Sequence, residues 1–131
     1  MKVTADTNII LRSIVDDDEA QTTRAIELLE TADMVAVSLQ TLCEVVWVLR
    51  GRYEVDRADI AVAIRALLST NNVVVNRPAA EAGLALLEAG GDFADGVIAY
   101  DGTWLGAETF VSFDKKAVSL LTKQGYSAKL L

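Results

Sequence analysis

The feature that most restricts the fold of this chain is the alternation between short β-rich runs and segments with helical hydrophobic periodicity. Four runs have the composition of strands, and the last residues could add an edge strand. Strands that alternate with helices are typical of α/β domains with a mainly parallel sheet. Because the 131 residues are 52% apolar and contain no linker-like or repeated stretch, we predict a single domain over residues 1–131.

The patterns predict strands over residues 2–5, 34–37, 73–75, 109–113 and 127–131. Helix-capping and helix-stopping residues divide the remaining chain into seven predicted helices. These helices cover residues 7–14, a segment after Asp16–Asp18, a segment from Ser38 to about Arg52, a segment after Asp56, a segment from Pro78 to Gly90, a segment after Asp92, and a segment that Gly125 ends.

The chain has no histidine, and Cys43 is its only cysteine. This composition excludes a Ser-His-Asp triad, a Cys-His pair, a zinc site built from thiolates or imidazoles, and an intramolecular disulfide. Catalysis would have to come from carboxylates, Lys, Ser, Thr, Tyr, or a hard metal ion held by oxygen atoms.

The formal net charge is −7, so the overall field of the protein does not attract nucleic acid. Binding to RNA would depend on bound cations and local basic patches, whereas a basic protein partner would suit the charge as it stands. Neither a secretory signal nor a run long enough to span a membrane is visible, and we expect a cytoplasmic protein with no membrane partner.

Two predicted strands end directly at an aspartate, Asp6 and Asp114. Ligands of parallel α/β sheets bind beyond the carboxyl ends of the strands, which makes both residues candidates for a functional site. The alternative interpretation, a helix N-cap, is equally good for each of them taken alone.

Glu44 and Asp95 are the acids that fit least well into ordinary surface positions. Glu44 stands in an apolar helical run, so we expect it to point inward; the alternative is a structural ion pair with Arg50, Arg52 or another base. Asp95 follows Asp92 by three residues, and Asp92 is the better candidate for the N-cap. Asp95 shares a helix face with small and apolar residues, and we expect it to point toward the end of the sheet.

If Asp6, Glu44, Asp95 and Asp114 converge, their repulsion has to be relieved. Two like charges about 4 Å apart repel by about 4 kcal/mol at an effective dielectric near 20. The cluster must therefore bind a proton or a cation, and a site with only oxygen ligands favours Mg²⁺, with Mn²⁺ as a substitute. A carboxylate-bound Mg²⁺ keeps several waters, which suits the hydrolysis of a phosphodiester.

Four segments in order along the chain resemble the motifs of PIN domains: residues 6–12, 42–49, 91–99 and 110–117. Any one of these motifs would be weak evidence, but their order and spacing fit across the whole chain. Within that family the sequence is most similar to VapC-type toxin ribonucleases of type II toxin–antitoxin modules.

The resemblance implies a three-layer α/β/α fold, with a mainly parallel sheet of four to five strands flanked by about seven helices. It implies a Mg²⁺- or Mn²⁺-dependent endoribonuclease in which Asp6 and Asp95 are the principal metal ligands. Glu44 and Asp114 would complete the site, directly or through water. Asn8 and Ser112 match polar motif positions and are expected to orient the acids.

The same resemblance implies partners. We expect a homodimer and a VapB-type antitoxin whose tail occupies the site, with a higher-order hetero-oligomer formed by the two proteins. Operator DNA would be bound only through the antitoxin. One departure from the family pattern is Gly96, which stands where the family often has Ala and weakens helix propensity beside Asp95.

Several basic residues near the motifs are candidates for contacts to RNA phosphates, although each could be an ordinary surface charge. Tyr53 is a candidate for stacking on a base, whereas we expect Trp47 and Trp104 to pack in the core or in a dimer interface. The basic candidates are Arg12, Arg50, Arg52, Lys115 and Lys116.

Two other functions compete with the nuclease. A phosphoacceptor domain of the receiver type also has acids at strand ends, but it needs a paired acidic motif at the first strand, and this chain has Asp6 alone. A non-catalytic interaction module could use an acidic groove to bind a basic partner. Such a module has no chemical need for all four acids, which favours the enzyme.

Overall fold

The computed structural model describes all residues, 1–131, and contains five strands and seven helices. In chain order these are β1 Lys2–Thr4, α1 Thr7–Ile14, α2 Glu19–Thr31, β2 Met34–Ala36, α3 Leu39–Gly51, α4 Arg57–Leu68, β3 Val73–Val74, α5 Arg77–Glu88, α6 Phe93–Trp104, β4 Phe110–Ser112, α7 Lys115–Lys123 and β5 Ala128–Leu130. The predicted α/β class and the seven helices are confirmed. Each strand is shorter than predicted by one residue at one or both of its ends.

The chain divides into two compact units, Met1–Asn76 and Arg77–Leu131. The first unit holds a three-stranded sheet in the order β1-β2-β3, in which both pairings are parallel. The second unit holds β4 and β5, which also pair in parallel. The five strands therefore form one sheet of three strands and one of two.

Side-chain caps begin most of the helices, as the sequence predicts. Asp18, the last of three consecutive aspartates, accepts a hydrogen bond from the backbone of Gln21, and Ser38 accepts one from Thr41. Asp56 occupies the N-cap position of α4 but makes no capping hydrogen bond with its side chain. Sequence reasoning located these helix starts because short polar side chains satisfy backbone N–H groups that have no partner within the helix.

The core of Met1–Asn76 contains the central strand β2 and one face each of α3 and α4. Val35 is fully buried, as are Leu42 and Leu49 on α3 and Ile60 and Ile64 on α4. Their spacing of four or seven residues on each helix is that of an amphipathic helix packed against a sheet. This packing fixes the orientation of α3 about its own axis, and with it the direction of every other side chain on that helix.

The core of Arg77–Leu131 is built by α5, α6 and α7. Phe93 is fully buried, and Leu86, Ala99 and Leu121 form a cluster that Phe110 and Ala128 of the strands pack against. None of the helices in the structure combines the length and the apolar composition needed to cross a membrane.

Candidate active site

Asp6 connects the end of β1 to the start of α1. Its Oδ1 accepts a hydrogen bond from the backbone N–H of Ile9 at 3.0 Å, so Asp6 is the N-cap of α1. The other carboxylate oxygen, Oδ2, accepts no hydrogen bond in the structure. Capping and ligand binding are therefore compatible at Asp6, because the cap uses only one of the two oxygens and holds the other in a fixed position.

Glu44 lies on an exposed face of α3, and the expectation that it points into the interior is wrong. The buried stripe of the helix consists of Thr41, Leu42, Val45, Val46 and Leu49, and Glu44 falls outside it. The apolar residues beside Glu44 suggested burial on all sides, but helical periodicity places it on a different face. The alternative ion pair with Arg50 or Arg52 is absent as well.

Instead, Glu44 is bound to the start of α1. The hydroxyl of Thr7 donates a hydrogen bond to Oε2 of Glu44 at 2.5 Å. Because Thr7 is the first residue of α1, this bond ties the Glu44 carboxylate to the start of the helix that Asp6 caps. Sequence reasoning missed Thr7 and expected Asn8 to orient the acids, but Asn8 donates no hydrogen bond to an acid. The available signal was a hydroxyl directly after the strand-end aspartate.

Asp114 occupies in the second unit the local position that Asp6 occupies in the first. It follows β4 and caps α7, with Oδ1 accepting hydrogen bonds from the backbone of Lys116 at 2.9 Å and of Ala117 at 3.2 Å. Its own backbone N–H donates to Oγ of Ser112 at 3.0 Å. Ser112 therefore fixes the turn that carries the acid, as predicted, and Oδ2 of Asp114 makes no hydrogen bond.

Asp95 is half-buried near the start of α6, and no group in the structure donates a hydrogen bond to it or forms an ion pair with it. Burial raises the pKa of the Asp95 carboxyl above its ordinary value, and the nearby charges of Asp92 and Asp114 raise the pKa further. Asp92 caps α6 through the backbone N–H of Ala94 at 3.2 Å, as predicted. Repulsion among these acids is thus present in the second unit.

The position of α6 depends on Gly96, the residue after Asp95. A Cβ atom at Gly96 would lie 2.5 Å from the carbonyl oxygen of Ala82 and 2.9 Å from Cα of Gly83. Both of those atoms belong to the α5 backbone, which cannot move aside as a flexible side chain can. The departure from the family pattern therefore has a structural reason: glycine permits close packing of α5 and α6 and so fixes the helix that carries Asp95.

No group of three or more His, Cys, Asp or Glu side chains is arranged in the structure so that it could hold a metal ion. The chemistry of the donors nevertheless fits a hard divalent cation. The candidate acids offer carboxylate oxygens only, and burial together with the charges of Asp92 and Asp114 disfavours the ionised form of Asp95. In the first unit Thr7 links Glu44 to the residue after Asp6, and in the second unit the charge of Asp114 acts on Asp95. Convergence of all four remains a prediction.

Two residues of the first unit that were candidates for contacts to RNA, Arg12 and Tyr53, form hydrogen bonds within the protein. Arg12 donates to Asp17 at 2.7 Å and to Gln21 at 2.8 Å, and the hydroxyl of Tyr53 donates to Asp17 at 2.5 Å. The hydrogen bond from Tyr53, followed by the charge of Arg12, lowers the pKa of the Asp17 carboxyl. Arg52 lies over the Tyr53 ring, 5.5 Å from its centroid. This network holds the acidic segment before α2.

The tryptophans are not core residues. Trp47 is 75% exposed and Trp104 is 81% exposed, which contradicts the expectation of core packing and leaves the interface expectation open. Lys115 and Lys116 are also exposed, and neither pairs with an acid in the structure.

The family of the chain follows from comparison with known proteins. The family model described as PIN domain matches residues 3–119, a span that runs through both units and includes all four candidate acids. The chain belongs to the PIN domain family. PIN domains are generally nucleases, which are hydrolases, and they generally use divalent metal ions. No curated protein matches the chain.

Proposed function

We propose that this protein is a divalent-metal-dependent endoribonuclease that hydrolyses RNA phosphodiester bonds with Asp6, Glu44, Asp95 and Asp114. One observation carries the proposal beyond family membership: Asp95 is half-buried, unpaired and repelled by Asp92 and Asp114. An acid whose only charged neighbours are other acids has a use for a bound cation, whereas a purely structural acid would be expected to have a basic partner or hydrogen-bond donors.

The four acids have distinct roles in the proposal. Asp6 and Asp95 would hold Mg²⁺, or Mn²⁺ in its place, and Glu44 and Asp114 would complete the site directly or through water. The metal, when bound, supplies a water of lowered pKa and neutralises charge on the phosphate. The caps on α1 and α7 hold Asp6 and Asp114 in place, and the Thr7 hydroxyl orients Glu44.

The direct test is cleavage of a generic single-stranded RNA by the purified chain without a partner. We expect cleavage with Mg²⁺ or Mn²⁺, none with EDTA, and a loss of about 100-fold or more in Asp95→Asn, since even residues that only support a metal ligand cost 10- to 100-fold when changed. Asp101→Asn, which changes another acid of α6, is the matched control and should retain activity.

Melting curves provide a readout that does not depend on turnover. Millimolar Mg²⁺ or Mn²⁺ should raise the melting temperature of the wild-type chain, because a ligand of the folded state stabilises it by mass action, and Asp95→Asn should reduce that rise. Folded wild-type protein that neither cleaves RNA nor responds to either metal would contradict the enzyme. That outcome would favour the non-catalytic module that binds a basic partner.

The proposal extends to a biological role, as the toxin of a VapBC-type pair acting on cytoplasmic RNA. The order of the four motifs supports this role, and the two exposed tryptophans are available for a homodimer or for the antitoxin. Operator DNA would be bound only by the antitoxin. We expect expression of the chain in bacteria to arrest growth, expression of Asp95→Asn to have no effect, and a short upstream gene for a DNA-binding protein to relieve the arrest. Normal growth with the wild-type chain would contradict the toxin role.

A further inference from the structure

A phenylalanine stands beside one of the candidate catalytic acids, in a position where burial would be expected. Phe113 lies between the end of β4 and the N-cap Asp114, and it is 82% exposed. Val111, two residues earlier, is exposed as well. Phe113 lies at a bend directly after β4, and both apolar side chains are open to solvent at this end of the strand.

The backbone that carries Phe113 is held on both sides. Ser112 accepts a hydrogen bond from the backbone of Asp114, and the Asp114 carboxylate accepts two from the first turn of α7. The ring is therefore presented to solvent by a turn whose backbone is hydrogen-bonded. Exposing a large apolar ring from a fixed turn brings no benefit to folding, because the ring is as exposed in the folded state as in the unfolded chain.

Two lysines follow Phe113 in the sequence, after the N-cap residue Asp114. Lys115 and Lys116 are exposed and unpaired, in a chain whose net charge is −7. An exposed aromatic ring with neighbouring free cations is the combination by which proteins bind single-stranded nucleic acid: the ring stacks on a base and the cations contact the backbone phosphates.

We propose that Phe113 stacks on an unpaired base of the RNA substrate, next to the phosphodiester on which Asp114 acts, with Lys115 and Lys116 contacting adjacent phosphates. This inference rests on the proposed function and names how its substrate is held. A second copy of the chain is the competing occupant of this surface, and the light-scattering measurement below tests it.

The kinetic test compares Phe113→Ala, Phe113→Tyr and Leu105→Ala in the full-length chain. Leu105 is 85% exposed in the same unit and serves as the matched apolar control. Loss of stacking should lower kcat/KM for single-stranded RNA by about tenfold in Phe113→Ala, mainly through KM. Phe113→Tyr keeps an aromatic ring and should remain near the wild type, as should Leu105→Ala. A Phe113→Ala variant with unchanged kcat/KM would overturn the proposal.

A binding test separates this inference from the nuclease assignment. Short RNAs with 2-aminopurine at single positions are titrated into Asp95→Asn protein, in which cleavage is blocked. Stacking should quench the fluorescence at one position, and adding Phe113→Ala should abolish the quench while Phe113→Tyr preserves it. If wild-type protein fails to cleave but the quench still depends on Phe113, the nuclease assignment fails and the stacking surface stands.

Two outcomes of the binding test would refute the stacking role itself. One is a quench that persists in Phe113→Ala and disappears in Trp104→Ala, since Trp104 is the competing exposed aromatic residue of this unit. The other is unchanged RNA binding together with a change of oligomeric state in Phe113→Ala, measured by light scattering, which would assign this surface to contacts between copies of the chain.

Discussion

Met1–Asn76 and Arg77–Leu131 each contain a parallel sheet, a strand that ends near an aspartate, and a helix that this aspartate caps. Asp6 and Asp114 are thus locally equivalent, and each uses one carboxylate oxygen for its cap. The second acid of each unit is held differently. Glu44 is bound by the Thr7 hydroxyl, whereas Asp95 has no donor and is repelled by other acids.

The difference shows two ways of preparing a carboxylate for a cation. In the first unit a hydrogen bond fixes the orientation of Glu44, and the acid is ready before a ligand arrives. In the second unit burial and neighbouring charges make the ionised form of Asp95 unfavourable, so a cation at this residue would relieve a cost already present in the fold. We therefore expect different effects when the hydrogen-bond donor to Glu44 is removed and when the charge of Asp95 is removed.

The largest expected effect concerns whether the acids of the two units serve one reaction. We expect Asp6→Asn and Asp95→Asn each to lower RNA cleavage by about 100-fold or more, and the double variant to lower it hardly further, since residues that act as a unit are strongly non-additive. The measurement is the rate of RNA cleavage at saturating Mg²⁺ for the wild type, the two single variants and the double variant. Independent, multiplying losses would mean that each unit contributes separately, contrary to the proposal.

The second effect compares two of the helical glycines, Gly96 and Gly51. Gly96→Ala should destabilise the protein by about 1–3 kcal/mol, because its Cβ would meet the α5 backbone. Gly51→Ala adds the same methyl group to α3, where nothing lies within 4 Å, and should be neutral or stabilising by up to about 1 kcal/mol. Urea unfolding measures both. Equal responses would refute the close packing of α5 and α6.

The third expected effect tests whether RNA cleavage depends on the orientation of the Glu44 carboxylate. Thr7→Val removes the only donor to Glu44 at nearly constant volume, and we expect RNA cleavage to fall by about tenfold. Thr7→Ser keeps the hydroxyl and should retain most of the activity, with unchanged melting temperatures in both variants showing that the fold is intact. Equal activity in the valine and serine variants would show that the hydrogen bond has no functional role.

The smallest expected effect is a pH dependence of the melting temperature that is caused by the repulsion at Asp95. It is measured with metal removed by EDTA. The pKa of Asp95 is raised in the folded protein, so its ionisation destabilises the fold. That cost is absent below the ordinary carboxyl pKa, grows between the ordinary and the raised pKa, and is complete above the raised pKa. Asp95→Asn should therefore raise the melting temperature slightly at pH 7 and leave it unchanged at acid pH.

Asp17 provides the opposite case within the first unit. Its pKa is lowered by Tyr53 and Arg12, so its charge stabilises the fold above the ordinary carboxyl pKa, and this contribution is lost as the pH falls through the lowered value. Asp17→Asn should lower the melting temperature at pH 7. A shift of the same sign in Asp17→Asn and Asp95→Asn would contradict the contrast between the two acids.

The sequence by itself determined the α/β class, the helix starts and the strand-end aspartates. These features depend on residues that are close together in the chain: alternating hydrophobic patterns select strands and helices, and a short polar side chain selects the start of a helix. Asp6, Asp92 and Asp114 could be placed as caps for this reason, and Ser112 could be placed as the residue that supports the Asp114 turn.

Tertiary structure alone decided which face of a helix is covered and which side chains meet across long stretches of sequence. The apolar run around Glu44 suggested burial, but the packing of α3 against its own unit left that face open and brought Thr7, 37 residues earlier, to the carboxylate. The exposure of Trp47 and the requirement for glycine at position 96 have the same cause. Burial and close approach depend on the neighbouring element, and a local pattern of residues does not specify that element.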